Sequence, residues 1–141
     1  MKKVKIKYAD LEEAYVFVSA GPEYSHDALL DTQTGRMLFQ SADSEELDEF
    51  PEIIDRNRYI SIPTKTDLHL GRPVAISFTE IYIPDAIAEV RRIFGRKGAF
   101  SKFKDLLVRA GMLEQWYKHE EQETERALRE WCQAKGILLT S

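Results

Sequence analysis

The segment DALLDTQTGRMLFQS, residues 27–41, carries the clearest β signal of the sequence. Two short apolar runs flank a polar connection that contains Gly35, a residue type that readily adopts the positive φ of a tight turn. This pattern predicts a β-hairpin. Further along the chain, RYISIP (residues 58–63) predicts one more short strand, because isoleucines alternate there with aromatic or polar side chains.

The segment before the hairpin predicts a helix. Asp10 and Glu13 have the spacing of a capping box, which is typical of a helix start. Apolar residues then follow at helical spacing on one face: Leu11, Ala14, Tyr15 and Val18. The β-branched and aromatic residues of AYVFVS (14–19) leave a strand as the alternative.

The second half of the chain is predicted to be helical. Residues 72–83 fit both an alternating and a helical pattern, and we favour a helix because Pro73 suits a first helical turn. From Pro84 onward, apolar stripes at helical spacing end at glycines. We expect five large side chains of these stripes to form one buried cluster: Phe100, Phe103, Leu107, Trp116 and Trp131.

These elements predict an α+β fold in a single domain, residues 1–141. An N-terminal helix and β-hairpin with a short additional strand occupy about residues 1–63. A bundle of about four helices follows over about residues 64–139. No internal repeat and no linker long enough to separate two domains interrupts this order.

Composition narrows the class of protein. A chain of 141 residues that is 43% hydrophobic can bury a core without covalent crosslinks. Cys132 is the sole cysteine, so an intramolecular disulfide is ruled out and a reducing cytoplasm is expected. Lys5 and Lys7 interrupt what would be the apolar part of a signal peptide, and no apolar run approaches a membrane span, so we expect a soluble cytoplasmic protein.

Charge is unevenly distributed along this acidic chain of net charge −4. Residues 43–55 carry seven acids and no base, whereas residues 91–109 are predominantly basic. We interpret these blocks as two solvated faces that attract each other within one molecule, and an external partner is the alternative.

Several stretches together resemble the bacterial uncharacterised protein family 0158. They are, in chain order, LLDTQTGRMLFQ (29–40), RYISIP (58–63), GRKGAFSKFKDLL (95–107) and LEQWYKHEEQETERALREWC (113–132). The resemblance covers most of the chain and is most specific in the C-terminal half. It implies a small α+β cytoplasmic protein, and it brings with it no activity, cofactor or catalytic residue.

One loop is a candidate anion-binding site. Gly95 and Gly98 enclose Arg96 and Lys97, and Lys104 on the following helix is a further candidate cation. A Gly-x-x-Gly loop between two helices is how KH domains clamp a nucleic-acid backbone. Another long helix is predicted where a KH domain would supply a strand, and the acidic total charge also weighs against nucleic acid.

Other reactive side chains give weaker signals. Glu120 lies near the centre of the last apolar stripe, which predicts either a buried ion pair, with Arg91 or Arg92 as its partner, or a carboxylate at the rim of a groove. The three histidines are far apart in sequence, so no metal or other cofactor is expected. Cys132 is interpreted as a packed thiol rather than a nucleophile.

The sequence leaves three function hypotheses. The leading one is a non-enzymatic binding or regulatory protein that meets another protein through its aromatic C-terminal helices or its acidic segment. The alternative is an RNA or polyanion binder that uses the Gly95–Gly98 loop. A hydrolase with a site of scattered carboxylates ranks third.

Overall fold

The computed structural model describes residues 4–20, 25–41 and 48–140. They form two compact units. The sheet unit comprises the chain up to Leu68 together with the chain from Leu128 onward, and the helical unit is His69–Ala127. The fold is α+β, as the sequence predicted. That the whole chain forms a single domain stays a prediction.

The sheet unit begins with a short strand and a helix. Strand β1 (Lys5–Lys7) leads directly into helix α1 (Tyr8–Ser19). The helix begins two residues before the predicted capping box, so Asp10 lies in the first turn, where a carboxylate interacts favourably with the helix dipole. The predicted apolar face is confirmed, and its four members are buried: Leu11, Ala14, Tyr15 and Val18. The strand alternative for residues 14–19 is wrong.

A three-stranded antiparallel sheet follows. Its strands are β2 (His26–Asp31), β3 (Met37–Ser41) and β4 (Tyr59–Ser61), and β2 lies in the middle. The predicted hairpin is confirmed as β2 and β3, and Gly35 in its turn has φ of +78°. Its amide donates a 2.8 Å hydrogen bond to the carbonyl of Asp31, which closes the turn. Strand β4 therefore forms one edge of this sheet.

The helical unit consists of consecutive helices. Helix α2 (Arg72–Tyr82) confirms the choice of helix over strand for this segment, and a 3-10 turn (Pro84–Ala86) follows it. Helices α3 (Ile87–Ile93), α4 (Ala99–Arg109) and α5 (Leu113–Lys135) complete the series. The first part of α5 belongs to this unit, and its last two turns belong to the sheet unit.

An aromatic cluster forms the core of the helical unit. Trp116 is fully buried, and its ring meets Phe78 and Phe103 edge to face, with centroids 5.4 and 5.0 Å apart. Such T-shaped contacts add to the stabilisation from area burial. Leu107 is also fully buried.

The predicted cluster is wrong for two of its members. Phe100 is only half-buried, and so is Trp131, which belongs to the sheet unit rather than to this core. Tyr117, the residue after Trp116 on α5, is 46% exposed. Spacing along a long helix reports which residues share a face, but it does not report what each part of the face packs against.

The sheet unit ends with a strand that the sequence did not predict. Helix α5 ends in a Schellman arrangement, in which the amide of Ile137 donates to the carbonyl of Cys132 and Gly136 has φ of +72°. Strand β5 (Leu138–Thr140) then pairs in parallel with β1. None of the described helices has the length and apolar character needed to cross a membrane.

Candidate functional site

The predicted anion-binding loop lies between α3 and α4. The side chains of Arg96 and Lys97 are exposed. Gly98 immediately precedes α4 and has φ of +72°, which turns the chain into the helix. Helix α5 follows α4, so the strand that a KH domain places after its second helix is replaced here by a helix.

Several other basic side chains of residues 91–109 contact acidic or aromatic residues. Arg91 and Arg109 each form an ion pair with a glutamate of the helical unit, at 3.3 and 3.5 Å. The ammonium of Lys104 lies 5.6 Å from the ring centre of Tyr117. Of the predicted acidic segment, residues 43–47 lie outside the described part of the chain.

The other candidate reactive side chains do not lie together in one site. Glu120 is half-exposed on α5 and interacts with other residues. Cys132 is buried as expected, and burial raises the pKa of its thiol to about 11, which keeps the sulfur protonated and unreactive at neutral pH. Across residues 4–20, 25–41 and 48–140, no group of three His, Cys, Asp or Glu side chains is placed to hold a metal ion.

The sheet unit contains a groove along the free edge of β4. Toward β2, the amide of Ile62 donates to the carbonyl of Ala28 at 3.0 Å, and the carbonyl of Arg58 accepts from Thr32 at 2.9 Å. Backbone groups alternate in direction along an antiparallel strand. The amide and carbonyl of Ser61 therefore point away from β2, and in the described part of the chain they have no backbone partner.

A tight turn directly before β4 contains two arginines, Arg56 and Arg58. The carbonyl of Asp55 accepts from the amides of Arg58 and Tyr59, at 3.0 and 2.8 Å. Arg56, at the tip of this turn, is exposed and donates a 3.3 Å hydrogen bond to the hydroxyl of Ser61. The turn therefore holds one cation directly beside the free edge of the strand.

The last two turns of α5 form the facing wall. Trp131 and Lys135 are four residues apart, so their side chains lie on one face of the helix. The guanidinium of Arg129 lies 5.0 Å from the ring centre of Tyr8, which fixes this end of α5 to α1. Trp131 is half-buried, which leaves part of its indole ring available in the groove.

A short turn after β4 closes the end of the groove. The carboxylate of Asp67 accepts a 3.0 Å hydrogen bond from the amide of Thr64. The amide of Asp67 in turn donates a 3.1 Å hydrogen bond to the hydroxyl of Thr64. The amide of Lys65 donates to the hydroxyl of Ser19 at 3.0 Å, which attaches the turn to α1. The turn after β4 is therefore held in place by local hydrogen bonds.

Together these elements enclose a groove of about 620 Å³. Its lining combines the strand edge, two aromatic rings and two cations: Arg56, Tyr59, Ser61, Ile62, Trp131 and Lys135. Asp67 also lines it, and the turn amide already occupies one of its carboxylate oxygens. Neither the Gly95–Gly98 loop nor Glu120, the site residues that the sequence predicted, contributes to this groove. The sequence signal that pointed toward it was the strand RYISIP, whose free edge could not be known before its pairing.

The fold and the groove define a small α+β protein with an open sheet edge. The chain belongs to the Uncharacterised protein family (UPF0158), whose family model matches residues 3–140. This confirms the resemblance seen in the sequence. No curated protein and no solved structure shows a significant similarity to the chain.

Proposed function

We propose that this protein is a non-enzymatic cytoplasmic binding protein whose groove beside β4 takes an extended segment of a partner polypeptide. The free backbone of Ser61, which faces away from β2, carries this proposal. Exposed strand edges are the usual place where an extended peptide adds to a sheet, because its main chain satisfies the unpaired amide and carbonyl groups.

The size and lining of the groove support the same function. Its volume of about 620 Å³ lies in the ordinary range of binding clefts. The half-buried ring of Trp131 offers a partner side chain an apolar surface on a rigid helix. Tryptophan in such a position is a frequent energetic anchor of protein interfaces.

The absence of enzymatic activity is part of the proposal and rests on the chemistry of the lining. General acid–base catalysis needs titratable groups that can reach the reacting atoms. Asp67 is the carboxylate of the groove, and its side chain is held by the amide of Thr64. The two cations, Arg56 and Lys135, suit the binding of an anionic group.

Selection from a random peptide library tests this function. The library is panned on the wild-type protein and, in parallel, on Trp131→Glu, which places a charge where the apolar anchor lies. We expect peptides that are enriched on the wild type and lost on the variant. No enrichment, or equal enrichment on both proteins, would contradict binding in the groove. Thermal unfolding of the variant checks that it remains folded.

A second candidate function is RNA or polyanion binding at the Gly95–Gly98 loop. Its supporting observation is that Arg96 and Lys97 are exposed beside the N-terminus of α4 and form no ion pair with another described residue. Fluorescence anisotropy with a labelled mixed-sequence RNA at two salt concentrations tests it. We expect weak binding that Arg96→Asp with Lys97→Asp changes little. Submicromolar binding at physiological salt that is lost in the double variant would make this the leading function.

A further inference from the structure

The free edge of β4 offers few but well-defined hydrogen-bonding groups. They are the carbonyl of Tyr59 and both the amide and the carbonyl of Ser61, because the amide of Tyr59 already donates to Asp55. Pro63 has no amide proton and ends the edge. An added strand can therefore form about three main-chain hydrogen bonds here, and the side chains of the groove must supply the remaining selectivity.

The charges of the groove favour an acidic segment. Arg56 and Lys135 are exposed cations on opposite walls. Asp67 is the one carboxylate among the described residues of the lining, so the two cations leave an excess of positive charge that faces a ligand. Carboxylates bind such donors through charge-assisted hydrogen bonds.

The position of Arg56 links the charge to the strand edge. Its guanidinium donates to the hydroxyl of Ser61, so it lies on the face of β4 to which the Ser61 side chain points. In an added strand, the residue opposite Ser61 places its side chain on that same face. Alternate residues of the ligand then pass the guanidinium, and an acidic residue at these positions meets it.

We propose that the groove selects an extended acidic segment of a partner protein, which adds to β4 as a further strand at Ser61 while Arg56 and Lys135 bind its carboxylates. This inference rests on the proposed peptide-binding function and states its mode and specificity. The ligand is one in which carboxylates alternate with apolar residues, so that one face meets the cations.

Charge reversal tests the specificity. The probes are two labelled octapeptides with capped ends, one alternating valine with glutamate and one alternating valine with lysine. We expect the wild-type protein to prefer the glutamate peptide by about tenfold, since each exposed ion pair contributes modestly. Arg56→Glu with Lys135→Glu should invert this preference. An unchanged preference in the double variant would overturn the acidic specificity, while peptide binding itself would stand.

Methylation of the peptide backbone tests strand addition without altering the protein. The glutamate peptide is prepared with N-methyl groups on all valines or on all glutamates. Only alternate residues of an added strand bond to β4, so one of the two should lose binding and the other should keep it. Which one fails reports whether the strands are parallel or antiparallel. Equal binding of both would overturn strand addition.

The remaining outcomes separate this inference from the function on which it rests. If neither octapeptide binds but panned peptides do, the inference is wrong and the groove still binds peptides. If no peptide binds at all, both fail. If an unstructured oligouridylate displaces the glutamate peptide at lower concentration, and does so through Arg56 and Lys135, the groove is a polyanion site and the protein partner is wrong.

Discussion

The guanidinium of Arg58 holds both carboxylate oxygens of Asp31. Nε lies 3.0 Å from Oδ1, and Nη2 lies 2.8 Å from Oδ2. Asp31 ends β2 and is only 6% exposed, whereas Arg58 directly precedes β4. This bidentate pair joins the end of β2 to the residue that precedes β4, so the position of the free edge depends on it.

Replacing Arg58 should destabilise the protein. Arg58→Ala leaves the buried carboxylate of Asp31 without its main donor, and we expect a loss in the free energy of unfolding that exceeds the loss from breaking an exposed ion pair. Arg126→Ala is the matched control, because it breaks an exposed ion pair with Glu123 and should cost less than about 1 kcal/mol. Urea denaturation measures both. Equal losses would mean that the buried pair contributes no more than an exposed one.

The same carboxylate predicts a pH dependence of stability. Hydrogen bonds from Arg58, opposed in part by burial, lower the pKa of Asp31 from 3.8 to about 2. A lowered pKa in the folded state stabilises the protein fully above the ordinary value of 3.8, and this stabilisation is lost as the pH falls toward about 2. Over this interval the unfolding free energy of the wild type should therefore fall more steeply than that of Asp31→Asn. Parallel curves from urea titrations would contradict the prediction.

The two tryptophans should differ in their contribution to stability. Trp116 is fully buried between Phe78 and Phe103, so Trp116→Ala should cost about 3–5 kcal/mol. Trp131 is half-buried in the groove, so Trp131→Ala should cost less than about 2 kcal/mol. Chemical denaturation of both variants gives the comparison. A larger loss for Trp131 would place it in a core and remove it from the groove.

The glycines of the Gly95–Gly98 loop should respond differently to alanine. Gly98 has φ of +72° and open space around it, so Gly98→Ala should cost about 1–2 kcal/mol from backbone strain alone. At Gly95 an added Cβ would meet the carbonyl oxygen of Arg92 at 3.4 Å, and Gly95→Ala should change stability by less than about 0.5 kcal/mol. Thermal unfolding compares them. Equal costs at the two positions would contradict a specific requirement for glycine at Gly98.

The sequence predicted those elements whose signals are local. The hairpin around Gly35 and the helical face of Leu11 and Val18 follow from the residues of one segment each. Strands β1 and β5 were missed because each has three residues, and their parallel pairing joins positions near opposite ends of the chain, such as Ile6 and Leu139. No local pattern reports such a pairing.

The groove was beyond sequence reasoning for a similar reason. Trp131 shares its helix and its apolar stripe with Trp116, so both were assigned to one core. The structure divides α5 between two units, and only the part from Leu128 onward belongs to the sheet unit. The edge of β4 at Ser61 is free because, among the strands that the structure describes, β4 pairs with β2 alone.

Exchange of the Ser61 amide proton reports directly whether a peptide adds to β4 as a strand. In the free protein this amide points away from β2 and has no backbone partner within residues 4–20, 25–41 and 48–140, whereas the amide of Ile60 faces β2 and serves as the internal control. Hydrogen exchange followed by NMR is measured with and without the alternating valine–glutamate octapeptide. We predict that Ser61 exchanges rapidly in the free protein and becomes protected at saturating peptide, while Ile60 is protected in both states. Unchanged exchange of Ser61 at saturating peptide would contradict strand addition at this edge.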